Sequence, residues 1–317
     1  MNFNNPSSEQ KKMVLNQTKS AVYQVMDFLK KNSLAALENG KRPNGIDTAA
    51  RFENEAGKIA LKLFSDFSKE HNVAIRILVD SLPLEILGAG TPTLTVFIDP
   101  VNGSNNFRRA SGISICSSFF LMGAERPLKI ENVDGVFIRD IDSESAGEGN
   151  GTDVRTGRFI EFLSGENPSL MNWRRSPDPL PKDLSDALVG FNACFRDDAD
   201  PRMVELVKTL AFGGFGPDGT YRRFSLDARD YGSAVLSSVY VAKKSIGAYV
   251  NIGTKSSTVF DILPGAAIIQ WEGGVVGGLD GKPLGEFDLN RLDQTYDYVM
   301  AASPGLYAQL VKYFQSG

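Results

Sequence analysis

Between Glu9 and Leu37 the apolar residues Val14, Ala21, Val22, Val25 and Leu29 recur at helical spacing, which predicts a long amphipathic helix. A second helix is clearer. Ala56, Ile59, Ala60, Leu63, Phe64 and Phe67 share one face, while Lys58, Lys62, Asp66 and Lys69 lie away from it. The pattern then shortens to the β-like runs AIRILV (74–79), LTVFID (94–99), ISICSSFFLM (113–122) and VDGVFIRD (133–140), which predict an extended sheet after the helices. The Gly-, Glu- and Asp-rich passage DIDSESAGEGNGTDVRTG reads as a surface loop. The Pro-rich SPDPLPKD (176–183) reads as a connector, which divides the chain into lobes 1–175 and 176–317. The second lobe offers a strand (ALVGFNA), a helix (PRMVELVKTL), a glycine-rich turn (FGGFGPDG), a helix near 230–243 and a strand (IGAYVNI). A helix from Phe260 to Glu272 and a last helix near Gly305–Phe314 complete it. This order predicts an α/β (α+β) protein with layered helices and sheets.

Composition narrows the choice. A chain of 317 residues that is 42% apolar can bury a sizeable core, so a disordered chain is excluded. Its apolar stretches are interrupted well before the roughly 20 residues of a membrane span, and MNFNNPSSEQKKM lacks a secretory apolar region. A soluble, cytoplasmic protein without a membrane partner is expected. With 34 Lys+Arg against 38 Asp+Glu the net charge is −4, which offers no basic excess for nucleic acid. Cys116 and Cys194 are the only cysteines, both in apolar contexts, and read as buried thiols; His71 is the only histidine. Histidine-rich zinc sites and a Ser/His/Asp triad are therefore disfavoured, and any hydrolysis falls to carboxylates, hydroxyls and hard metal ions.

One segment suits such chemistry: VFIDPVNGSNNFRRASG. A buried β-run delivers Asp99 at its end, Pro100 stiffens the exit, and Gly103 permits a tight turn that could start a helix at Ser104 or Asn105. A strand-end carboxylate can hold Mg²⁺, the Val101 carbonyl can add an oxygen ligand, and N–H groups at a helix start attract phosphate.

Here the sequence resembles the inositol monophosphatase family of Mg²⁺-dependent, lithium-sensitive phosphatases. Asp99, Pro100, Val101, Gly103, Ser104, Asn106 and Phe107 fit its signature D-P-(I/L/V)-D-G-(T/S)-x-N-F, whereas Asn102 departs from it. FDILPGAAIIQWEGGVVGGLDGKPL is similar to the family's second signature, with Asp261 in the metal-ligand place and Phe260 replacing a Trp. NEAGKIALKLFSDFSKEHNVAIRILVDS and DYGSAVLSSVYVA extend the likeness over roughly residues 50–285. The resemblance implies a layered αβαβα sandwich with the site between its two lobes, and hydrolysis of a small phosphorylated polyol, sugar or nucleotide. It also implies two or three Mg²⁺ ions that activate a water and neutralise the leaving oxygen. Family members are commonly dimers, which is compatible with a homodimer here.

Carried over residue by residue, the resemblance implies that Asp99 bridges two metals, Val101 gives its carbonyl and Asp261 binds the second metal. Ser104 would bind phosphate or orient the attacking water, with Gly103, Gly232, Ser233, Ala234 and Asn251 on the substrate side. Asp80 stands where the family has a metal-binding Glu and is a candidate for catalysis with Asp99 and Ser104. The departures gather at the same place. Asn102 replaces a carboxylate ligand, Ser81 replaces a Glu, and Gly57 replaces an Asp that normally pairs with the signature hydroxyl, with Glu53 and Glu55 as nearby substitutes. An amide oxygen coordinates without neutralising, so Asn102 should weaken the second metal in particular. Two readings stay open: a phosphomonoesterase, including one of reduced activity, and a catalytically impaired relative that binds a phosphorylated ligand or a protein. Arg108 and Arg109 read more simply as solvent-facing arginines and GGFGPDG as a turn, and a single aromatic beside two charges, Trp173, Arg174 and Arg175, is weak evidence for stacking on a base.

Overall fold

The structure, a computed structural model, describes residues 3–38, 47–80, 82–103, 114–124, 126–141, 158–171, 179–192, 200–215, 221–222, 225–253 and 257–315. The chain forms two compact units, Met1–Trp173 and Arg174–Gly317.

The first unit opens with α1 (Ser8–Glu38) and α2 (Asp47–His71). Both helices lie against a sheet built from β1 (Ile75–Val79), β2 (Glu85–Leu87), β3 (Leu94–Asn102), β4 (Ile115–Met122), β5 (Gly135–Asp140), β6 (Phe159–Leu163) and β7 (Ser169–Met171). Its seven strands are ordered β2-β1-β3-β4-β5-β6-β7; β1 and β3 run parallel and the other neighbours antiparallel. The predicted helical faces are the buried ones. Val14, Ala21, Val22, Val25 and Leu29 of α1 and Ala56, Ala60, Phe64 and Phe67 of α2 join Val96, Ile98, Phe120 and Phe137 of the sheet in one core. Burying each of the larger side chains contributes about 1.5–3 kcal/mol.

In the second unit β8 (Leu188–Phe191) leads through α3 (Pro201–Phe212), the short antiparallel pair β9 (Gly214–Phe215) and β10 (Tyr221–Arg222), to β11 (Asp227–Arg229). Then come α4 (Ala234–Ala242), β12 (Ala248–Asn251), α5 (Val259–Trp271), β13 (Val275–Gly277), β14 (Tyr298–Ala301) and α6 (Pro304–Gln315). The sheet order is β11-β8-β12-β14-β13, with β8 parallel to β11 and β12. Side chains alternate across it. Val189, Val250, Val299 and Ala301 pack with Met203, Leu206 and Leu210 of α3 and Leu306 and Leu310 of α6. No helix among the described residues is long and apolar enough to cross a membrane.

Candidate functional site

The first unit holds Asp80 and Asp99. The Asp80 N–H donates to the Ile98 carbonyl at 2.9 Å, which prolongs the β1–β3 ladder by one residue and sets Asp80 beside Asp99. Asp80 is half-buried and Asp99 is buried. Asp99 is not the last residue of its strand, as the sequence pattern suggested. Pairing with β4 continues to Asn102 opposite Ile115, with a register irregularity between Asp99 and Asn102. Pro100 sits inside that irregularity, where a residue without an N–H is tolerated.

The bulge folds the chain back onto the carboxylate. Asp99 Oδ1 accepts the Val101 N–H at 3.0 Å, and Oδ2 accepts the Asn102 side-chain amide, also at 3.0 Å. Only the NH₂ end of an Asn can face a carboxylate, so this orientation of the Asn102 amide is dictated by chemistry. Val101 and Asn102 are both buried. Gly103 then turns with φ 84°, a backbone setting that L side chains rarely adopt. Ser104, together with the helix expected to start there, lies outside the described residues, as do Ser81, Asn106, Phe107, Arg108 and Arg109. Trp173, Arg174, Arg175, Cys194 and residues 216–219 of the glycine-rich turn lie outside them too.

Two further features border the pair. A Cβ on Gly57 of α2 would stand 2.7 Å from Leu82 Cδ1 and 2.8 Å from Val79 Cγ1, so apolar atoms fill the place where the resemblance implied a carboxylate. Glu55 is exposed and pairs with Lys58 at 2.7 Å. Cys116 is buried and free; burial first, and then the Asp99 carboxylate, hold its thiol well above the ordinary value. Sequence reasoning missed Asp140, which is fully buried, pairs with Arg158, and lies across Ile115 from Asn102 in the sheet register. Its only sequence signal was a charge ending an apolar run.

The second unit holds the other candidates. Asp261 is the third residue of α5, and its Oδ2 accepts the Thr258 N–H at 2.8 Å, so it caps its own helix. Beneath it Tyr249 and Tyr298 are buried, with their rings 6.0 Å apart and the Tyr298 hydroxyl 3.4 Å from Ser257 Oγ. Burial raises both phenols above their ordinary value, and the Asp261 carboxylate adds to the rise. Ser233 caps α4, accepting the Leu236 N–H at 3.1 Å, next to a buried Ala234 and an exposed Gly232. Asn251 is buried; its Oδ1 accepts from Asn192 at 3.2 Å and its Nδ2 donates to the Tyr296 carbonyl at 2.8 Å.

The donor chemistry suits one hard divalent cation at Asp80 and Asp99, whose two negative charges match it. It does not suit a cluster of ions within this unit. Asn102 adds no charge, position 57 is apolar, and the described residues contain no group of three or more His, Cys, Asp or Glu placed to hold a metal. A groove of about 550 Å³ between α1 and α2, lined by Glu9, Lys12, Met13, Phe67 and His71 among others, contains none of these candidates.

No protein-family model matches this sequence, and no curated protein matches it either. Solved structures do. Inositol monophosphatase-II from Staphylococcus aureus is 15% identical, with 96% of this chain and 94% of that chain covered at a TM-score of 0.62. The extragenic suppressor protein suhB from Bartonella henselae is 16% identical, with 98% and 100% covered at a TM-score of 0.64. The chain has the inositol monophosphatase fold. Inositol monophosphatase from Anabaena, 14% identical with 96% of each chain covered, gives a TM-score of 0.63. The layered α/β sandwich expected from the sequence is thus the inositol monophosphatase architecture. Two other structures show the staphylococcal enzyme bound to inositol monophosphate and to 2'AMP.

Proposed function

We propose that this chain binds a small phosphate monoester, a polyol, sugar or nucleotide phosphate, and hydrolyses it slowly with Mg²⁺. The observation that carries this reading is the adjacency of Asp80, just past the end of β1, and Asp99, at the bulge of the parallel strand β3, with the Gly103 turn where β3 ends. In this proposal Asp80, Asp99 and the Val101 carbonyl hold the cation, and Asp261 is a metal-ligand candidate of the second unit. A bound Mg²⁺ supplies phosphoryl polarisation and a water of lowered pKa. The protein's own residues do the rest. The Val101 N–H and Asn102 amide fix the orientation of the Asp99 carboxylate, and the Gly103 turn admits a phosphate to the backbone. The Ser104 hydroxyl binds phosphate or orients the attacking water. Gly232, Ser233, Ala234 and Asn251 belong to the substrate side, with Asn251 serving through the Asn192 bond that fixes it. The ligands bound by the staphylococcal protein support the substrate class. The proposal includes a cytoplasmic homodimer with no nucleic-acid or membrane partner.

The bond from Asn102 to Asp99 favours a second reading, in which the phosphorylated ligand binds without turnover. Phosphate release from a panel of inositol, sugar and nucleotide monophosphates separates the two. Slow release that needs Mg²⁺ and disappears in Asp99→Ala is expected; ligand binding without release supports the second reading. Neither binding nor release across the panel would sink both.

A further inference from the structure

The side chain of Asn102 has a role that goes beyond filling a ligand position. Asp99 and Asn102 are each only 5% exposed, and their hydrogen bond is 3.0 Å long. The amide thus places a partial positive charge on the Asp99 oxygen that a second cation would have to share. For Asn102 to offer its oxygen to a metal instead, the amide must turn over and withdraw the donor from Asp99. Charge counting points the same way. A first divalent ion is neutralised by Asp80 and Asp99, whereas a second finds no further carboxylate grouped with them, since the described residues contain no group of three or more His, Cys, Asp or Glu that could hold a metal. At position 57 the neighbouring Leu82 and Val79 atoms leave no room even for a methyl group without movement.

We propose that the chain is a single-cation protein in which the Asn102 amide permanently occupies the place of a second ion at Asp99. This rests on the phosphate-monoester reading for the identity of the first site, but its test does not involve turnover. Equilibrium dialysis against Mn²⁺ counts the ions bound by the full chain. One Mn²⁺ per wild-type chain is expected, with none in Asp80→Asn and two in Asn102→Asp, where a carboxylate replaces the donor. Thermal melting with and without Mn²⁺ accompanies each variant, because Asn102→Asp sets two buried carboxylates against each other and should be stable only when metal is present. Two or more ions on the wild-type chain overturn the proposal, and that result needs no variant to fold. A count that stays at one in folded Asn102→Asp also overturns it. No binding by the wild type overturns the cation-dependent function as well, whereas one bound ion with no phosphate release removes only the hydrolytic reading.

Discussion

Gly57 offers a quantitative test of whether the region beside Asp80 is closed by apolar packing. On an open helix surface, Gly→Ala at an interior position stabilises by about 1 kcal/mol through propensity alone. Here the new Cβ would lie 2.7 Å from Leu82 Cδ1 and 2.8 Å from Val79 Cγ1, far inside the ~3.5–4.0 Å of a relaxed carbon–carbon contact. Leu82 is half-buried and its terminal methyl can swing away. Val79 is 2% exposed, β-branched and held in β1, so it cannot. Overpacking of this kind costs about 1–3 kcal/mol, which leaves Gly57→Ala destabilised by roughly 0–2 kcal/mol after the propensity gain. Urea denaturation of Gly57→Ala, Val79→Ala and the double variant closes a cycle. A coupling of about 1 kcal/mol or more is expected, because Val79→Ala removes the clash. Stabilisation of the single variant by the full propensity increment, with no coupling, would refute the packing described. Gly57→Asp should lose about 3 kcal/mol or more, since it adds a carboxylate to an apolar contact.

Other consequences are open to simple measurement. Arg139 is 3% exposed, stacks 4.4 Å from the Tyr23 ring, and buries Nε and Nη1 without a hydrogen-bond acceptor among the described residues. Unsatisfied buried donors cost about 1–3 kcal/mol each and the ring contact returns about 0.5–2, so Arg139→Met should raise stability, by up to about 5 kcal/mol, in chemical denaturation. A loss of stability would show that the guanidinium is anchored. Burial raises the thiol of Cys116 and the phenols of Tyr249 and Tyr298, so each favours the folded state while the unfolded group is still protonated, and that advantage fades as alkaline pH ionises the unfolded chain. Stability should fall by about 1.4 kcal/mol per pH unit for each group, from pH ~8.5 for the thiol and from pH ~10 for the phenols, and Tyr298→Phe should remove one share of that slope. An unchanged slope would contradict the burial. The native Cys116 thiol should also resist a disulfide reagent at pH 8 until the protein unfolds.

The long helices and the strands β1, β3, β4 and β5 of the first sheet were legible because their apolar patterns are sustained. The faces of α1 and α2 and the runs of β1, β3, β4 and β5 all bury what the pattern selects. The strands β2, β6, β7, β11, β13 and β14 were not anticipated. Runs of three to five residues are too short to show a period. β14 is an interior strand of its sheet, yet it is only the four residues Tyr298–Ala301 after a long polar stretch. Pro100 misled in the other direction, since a strand with a bulge carries it without ending. Within the site, Asp99 and the departures at Gly57 and Asn102 could be read from the motifs. The closeness of Asp80 to Asp99 could not be read from spacing, because it depends on the β1–β3 register. Nor could the amide bond that Asn102 makes to Asp99, or the filling of the Gly57 position by Leu82 and Val79, which depend on folded coordinates.

Crystals of the full chain soaked in Mn²⁺, with anomalous data collected at the manganese edge, test the central claim most directly. A manganese peak within about 2.5 Å of carboxylate oxygens from both Asp80 and Asp99 is the predicted result. Manganese bound elsewhere, with neither of these carboxylates touching it, would contradict the account.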